Sequence, residues 1–129
     1  MFSHIMIGVN DIEESKLFYD ELFKVFGIKE GVLFPNLTGQ KRYFYNLDGI
    51  SFCITEPIDG KPATVSNGAT IGFKVVDPDQ GNAWHQAGLE AGGVSIEDPP
   101  GIRDYGEIKM YLAYLRDPTG NKLCAICMQ

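Results

Sequence analysis

The chain has no apolar run long enough to cross a bilayer, and no basic leader followed by an apolar stretch near Met1. Both absences argue against a membrane span and make the cytoplasm the expected location. Clustered positive charge is missing too. Eleven basic residues are scattered among 17 acidic ones, for a net charge of −6, and that balance offers no footprint for nucleic acid. Cysteine is scarce and odd in number: Cys53, Cys124 and Cys127. Three thiols without zinc-finger spacing describe neither a disulfide framework nor a structural zinc knot. Cys124-Ala125-Ile126-Cys127 has the spacing of a redox pair, yet its surroundings alternate as a strand. Residues three apart on a strand face opposite ways, and a redox pair sits at a helix start, so reduced structural thiols are expected.

What the chain does have is enough material for one soluble domain: 129 residues, 44% of them hydrophobic. It also repeats itself. His4-Ile5-Met6-Ile7-Gly8-Val9-Asn10-Asp11 and Thr70-Ile71-Gly72-Phe73-Lys74-Val75-Val76-Asp77 both alternate, both carry Val sixth and both end on Asp. His4 precedes Gly27 by the same interval that separates Thr70 from Gly93. Gly49 stands four residues before Cys53, and Gly120 four before Cys124. Two copies of one unit predict a pseudo-symmetric fold with a site where the copies meet. Where the first copy has His4, the second has Thr70.

Each copy reads as a strand, a helix and about three further strands. Phe2 to Val9 alternates, with Ile5, Ile7 and Val9 on one face and His4, Met6 and Gly8 on the other. Asp11 is a helix N-cap, and Leu17, Phe18, Leu22, Val25 and Phe26 follow at helical spacing up to Gly27. Strands are predicted over Gly31–Phe34, Arg42–Leu47 and, after an Asp48-Gly49 hairpin turn, Ile50–Thr55. In the second copy the strand is Thr70–Val76, and Asp77-Pro78 opens a helix that ends at Gly92-Gly93. Residues 97–106 read as a loop, and Lys109–Leu115 and Lys122–Cys127 as strands around an Asp117-Pro118-Thr119-Gly120 turn. The fold class is α+β, with a first module at about 1–57, a linker at about 58–68 and a second module at about 69–129.

These residues carry a resemblance. The two first-strand segments, Ser15 and Phe18-Tyr19, Trp84-His85, Gly92-Gly93 and above all Arg116-Asp117-Pro118-Thr119-Gly120-Asn121-Lys122 are similar to the vicinal oxygen chelate superfamily. That superfamily includes glyoxalase I, bleomycin-resistance proteins and extradiol dioxygenases. The resemblance covers almost the whole chain. It implies tandem βαβββ modules with sheets curled around a cavity, and a homodimer. In metal-dependent members it implies four ligands on the concave faces, usually two His on the first strands and two Glu on the last. By position those become His4, Cys53, Thr70 and Cys124, and only His4 is the usual ligand. Such a fold hosts many chemistries, so the reaction has to be argued from the site.

Thr70 is a poor ligand, while Cys53 and Cys124 are soft donors that favour tetrahedral zinc. One reading makes His4, Cys53 and Cys124 a zinc site with an open fourth position. The other, preferred here, has no metal: the two thiols line the cavity as small apolar groups, and His4 is a hydrogen-bonding or proton-moving group. Tyr45, Tyr111 and Arg103 complete the expected lining. Aromatics with one guanidinium suit a planar or carboxylate-bearing small molecule. Three functions compete: a metal-independent binding or catalytic site, a metal-dependent lyase resembling glyoxalase I, and a non-catalytic interaction module. The first is favoured, because three of the four metal positions lack their usual ligand.

Overall fold

The chain opens with strand β1 (His4–Gly8), which turns into helix α1 (Ile12–Lys24). This is seen in a computed structural model describing residues 1–129. The Asp11 carboxylate caps α1 by accepting the Glu14 N–H at 3.0 Å, and Glu13 and Glu14 put negative charge at the positive end of the helix. Strands β2 (Val32–Leu33), β3 (Arg42–Leu47) and β4 (Ile50–Thr55) complete a first sheet in the order β1-β4-β3-β2. The β3–β4 hairpin turns on Asp48 and Gly49, both at positive φ (54° and 92°), as a two-residue hairpin requires.

The second half repeats this plan. It comprises β5 (Ile71–Lys74), α2 (Pro78–Glu90), β6 (Val94–Ser95), β7 (Gly101–Asp104), β8 (Lys109–Arg116) and β9 (Lys122–Met128). The order is β5-β9-β8-β6, with β7 also paired to β8. Asp77 caps α2 through the Gln80 N–H at 2.8 Å, and Pro78 is its first residue. In both sheets the first strand runs parallel to the last. No helix is long and apolar enough to cross a membrane.

One predicted loop is a strand. Residues 101–104 pair antiparallel with Lys109–Leu112 as β7. The reason lies in β8, which has 8 residues where β3 has 6. Its extra length leaves backbone groups without a partner, and β7 supplies one. The double proline just before β7 hides so short a strand from a reading of the sequence.

Cross-strand partners share a sheet face, so the register assigns every side chain. One face of each sheet carries Ile5, Phe52 and Tyr45, or Phe73, Ala125 and Ala113. All of these but Ile5, which packs against it, belong to an 18-residue core with Phe18, Tyr19, Leu22 and Phe23 of α1 and Trp84 of α2. Gly88 brings α2 close, since a Cβ there would lie 2.3 Å from Leu115 and 3.3 Å from Leu22. Phe73 joins the halves, with ring centroids 5.4 Å from Phe23, 5.9 Å from Phe52 and 6.2 Å from Trp84.

The opposite faces have no helix over them. The first presents the row Met6, Cys53, Phe44 and the second the row Gly72, Cys124, Tyr114. By symmetry Met6 corresponds to Gly72, Cys53 to Cys124, and Phe44 to Tyr114.

Candidate functional site

His4 and Thr70 are both exposed, one residue inside and one residue before the first strands of their sheets. The Ser3 hydroxyl meets His4 Nδ1 at 2.8 Å, which leaves Nε2 as the free ring nitrogen. Cys53 is fully buried between Met6 and Phe44 in the register, and Cys124 nearly so. The Cys124 thiol rests against Gly72, where an added Cβ would approach Sγ to 3.3 Å. Burial pushes both thiols up from their ordinary range, partly offset at Cys53 by the Arg42 guanidinium and at Cys124 by Lys122. Both are therefore neutral thiols near pH 7, whereas the thiolate is the metal ligand and nucleophile.

All three cysteines are free. Cys124 and Cys127 diverge as their spacing predicts: Cys124 shares the open face with Tyr114, while Cys127 pairs with Tyr111 on the core side. His4, Cys53 and Cys124 do not gather. No group of three or more His, Cys, Asp or Glu side chains within the chain is placed to hold a metal ion. One imidazole, one exposed hydroxyl and two buried neutral thiols on separate sheets do not fit the four-ligand arrangement of metal-dependent relatives.

Of the residues expected in the lining, Tyr45 and Tyr111 stand in the core instead, and Arg103 has its donors engaged. Tyr45 is in the core, its hydroxyl donating to Asp20 Oδ1 at 2.7 Å, and burial lifts its pKa far above the ordinary value. Tyr111 is also core, packed beside Gly81 of α2 and donating to Asn82 Oδ1 at 2.8 Å. Alternation alone separates the two faces of a strand without saying which one the helix covers. Arg103 shares the open side with Met110 in the register, but its fork is committed, Nη1 to the Gly101 carbonyl at 3.2 Å and Nη2 to the Asp98 carbonyl at 3.1 Å. His85, buried in α2, bonds the Ser95 hydroxyl through Nε2 at 3.0 Å and serves packing.

In their place the open faces present Met6, Phe44, Arg42 and Tyr114, with Lys122 5.0 Å above the Tyr114 ring and ion-paired to Glu97. The Arg42 signal was visible as alternation, since it shares parity with Phe44. At one end of the first face, Pro57 and Ala63 stand over Gly8, at 3.6 and 3.2 Å from where a Cβ would be. Two clefts lie elsewhere. One of about 700 Å³ runs between the β3–β4 turn and β5, and one of about 690 Å³ lies among the 38–40 and 56–62 loops. Neither is lined by His4, Cys53 or Cys124.

Comparison with known proteins agrees with this architecture. A family model for the Glyoxalase/Bleomycin resistance protein/Dioxygenase superfamily matches residues 1–125. A glyoxalase/bleomycin resistance protein from Albidiferax ferrireducens T118 is 53% identical, with a TM-score of 0.87 and 98% of each chain covered. A glyoxylase/bleomycin resistance protein/dioxygenase domain from Frankia sp. EAN1pec has a TM-score of 0.77 at 19% identity, over 100% of this chain and 98% of that one. A lactoylglutathione lyase from Agrobacterium tumefaciens shares the fold at 17% identity and a TM-score of 0.64, over 98% of this chain and 92% of its own. Curated proteins yield no match. With two βαβββ-type repeats, sheet faces that no helix covers and a family match across nearly its full length, the chain belongs to the Glyoxalase/Bleomycin resistance protein/Dioxygenase superfamily.

Proposed function

We propose that this protein is a metal-independent small-molecule site on the glyoxalase-like fold, sequestering its ligand or moving a proton with protein groups alone. The observation that carries the reading is the donor set at the four positions where metal-dependent relatives hold their ion: His4, Cys53, Thr70 and Cys124, with both thiols buried. His4 Nε2 is the free ring nitrogen for a proton transfer, with Ser3 orienting the ring. Apolar side chains are exposed beside the first open face and along the β2 edge, namely Phe2, Met6, Val32, Leu33 and Phe34. A second copy of the chain covering that side makes a cytoplasmic homodimer and encloses the ligand.

The test pairs metal analysis with thermal shifts. Protein purified without a His-tag is expected to carry no stoichiometric metal. A metabolite that raises the melting temperature is expected to do so equally in EDTA, by the equivalent of about 2.7 kcal/mol at a hundredfold excess over Kd. Stoichiometric zinc that disappears in Cys53→Ala, or a shift abolished by EDTA, would establish the metal-dependent lyase reading instead. No shift across a broad screen would leave an interaction module.

A further inference from the structure

Three arginines occur in the chain, and only one has an unused fork. Arg116 Nη1 donates to the Gly120 carbonyl at 2.7 Å, and both Nη atoms of Arg103 are tied to loop carbonyls. Arg42 donates only through Nε, to the Phe34 carbonyl at 3.0 Å. The backbone returns the contact, with the Phe34 N–H donating to the Arg42 carbonyl at 3.0 Å. The Arg42 guanidinium carbon lies 5.3 Å from the Phe44 ring and 5.7 Å from the Phe34 ring, themselves packed edge to face at 5.8 Å. Arg42 forms no ion pair, although Lys41 beside it reaches Glu13 and Lys122 on the other sheet reaches Glu97. Its second-module counterpart, by register, is Leu112.

A guanidinium held by one Nε bond and two rings has lost most of its rotamer freedom before any ligand arrives. Its four Nη protons remain without a protein acceptor, on the face that carries Met6, Cys53 and Phe44. We infer that Arg42 is the anion-recognition residue of this face, taking the carboxylate of a small planar molecule whose apolar body lies over Phe44 and Met6. The inference rests on the small-molecule reading above and names its ligand class. A carboxylate matches the fork with two parallel hydrogen bonds. A phosphate dianion is less suited, because the nearby Lys41 is already paired with Glu13.

The probes are benzoate, its neutral isostere benzamide, and inorganic phosphate, each titrated into the full chain and followed by backbone and methyl NMR shifts. Benzoate is expected to shift Met6 and Phe44 and to bind about tenfold more tightly than benzamide. Arg42→Gln should abolish that preference. Arg42→Lys should restore little of it, since the charge returns without the fork. Arg103→Gln should leave it intact, and unchanged far-UV circular dichroism checks the fold of each variant. Equal binding of benzoate and benzamide at Met6 and Phe44 overturns the role of Arg42 while leaving the small-molecule site standing. Tighter binding of phosphate than of benzoate overturns the carboxylate class. A changed oligomeric state in Arg42→Gln without loss of benzoate preference assigns the fork to a contact between chains and overturns the inference. No shift of any open-face residue with any probe overturns the role of Arg42 and the carboxylate class, whereas the small-molecule reading is decided by the broader metabolite screen above.

Discussion

Asp117→Ala is expected to destabilise the protein by about 3–5 kcal/mol, among the largest effects of any single polar substitution. Asp117 is 2% exposed. Its Oδ1 accepts the backbone N–H groups of Thr119, Gly120 and Asn121 at 3.0, 2.8 and 2.8 Å. Its Oδ2 accepts the Tyr19 hydroxyl at 2.7 Å and the Asn121 side-chain amide at 2.9 Å. Alanine would strand the Thr119 and Asn121 N–H groups and the Tyr19 hydroxyl, while Gly120 would keep only the Asp117 backbone carbonyl at 2.9 Å and the Asn121 amide only the Gly8 carbonyl. Donors left unpaired in a buried site cost more than the bonds themselves contribute. The damage would extend beyond the turn. Asn121 also donates to the Gly8 carbonyl at 3.1 Å, and Thr119 accepts the Asn10 N–H at 3.0 Å. The β8–β9 turn of the second module thus holds the end of β1 and helix α1 of the first. Urea denaturation should show a lowered midpoint with an unchanged m-value. Tyr19→Phe, which removes one of the five donors, should cost about 1–3 kcal/mol. A loss below about 1 kcal/mol for Asp117→Ala would mean that the turn re-forms its bonds without the carboxylate.

Phe73→Ala is expected to cost a similar amount, about 3–5 kcal/mol, for a different reason. The ring is 8% exposed and touches aromatic side chains of both modules, Phe23, Phe26 and Phe52 from the first and Trp84 from the second. Its removal would leave a cavity between α1, β4 and α2, where rigid rings cannot collapse into the space. Phe73→Leu keeps most of the volume and should lose markedly less. Thermal melts of the two variants supply the measurement, and equal losses would show that ring packing at this joint contributes nothing beyond apolar volume. Both substitutions disturb the joint that sets one open face relative to the other.

The repeat was legible because its signals are local. Asp11 and Asp77 cap helices through their own following turn, Asp48-Gly49 needs only its own backbone to form a hairpin, and strand alternation needs only parity. Helix starts and the long strands therefore agree with the register to within a residue or two. β7 was missed because its partner is the surplus length of β8, which depends on how far two strands overlap. The site was read less completely. Symmetry singles out His4, Cys53 and Cys124 as candidates, and all three stand on strands, in β1, β4 and β9. Tyr45 and Tyr111 were assigned to the lining because aromatics suit a cavity, yet the same side chains suit the packing surface under a helix equally well. A guanidinium at Arg103 suits a carboxylate clamp by its chemistry alone, whichever groups surround it. In the fold the carbonyls of Gly101 and Asp98 absorb the guanidinium.

By itself the sequence determined the α+β class, the two-module order, the divergence of Cys124 from Cys127 and the mismatch of His4 with Thr70. Each follows from spacing, parity or residue chemistry within a short stretch of chain. Only the tertiary structure decided which strand face the helices cover, which thiols are buried and which arginine keeps its donors free. Those outcomes depend on contacts between residues dozens of positions apart, such as Tyr45 on Asp20, Tyr111 on Asn82 and Tyr19 on Asp117. No local pattern records them, because the competition for each donor and each apolar surface is settled only when the two modules pack.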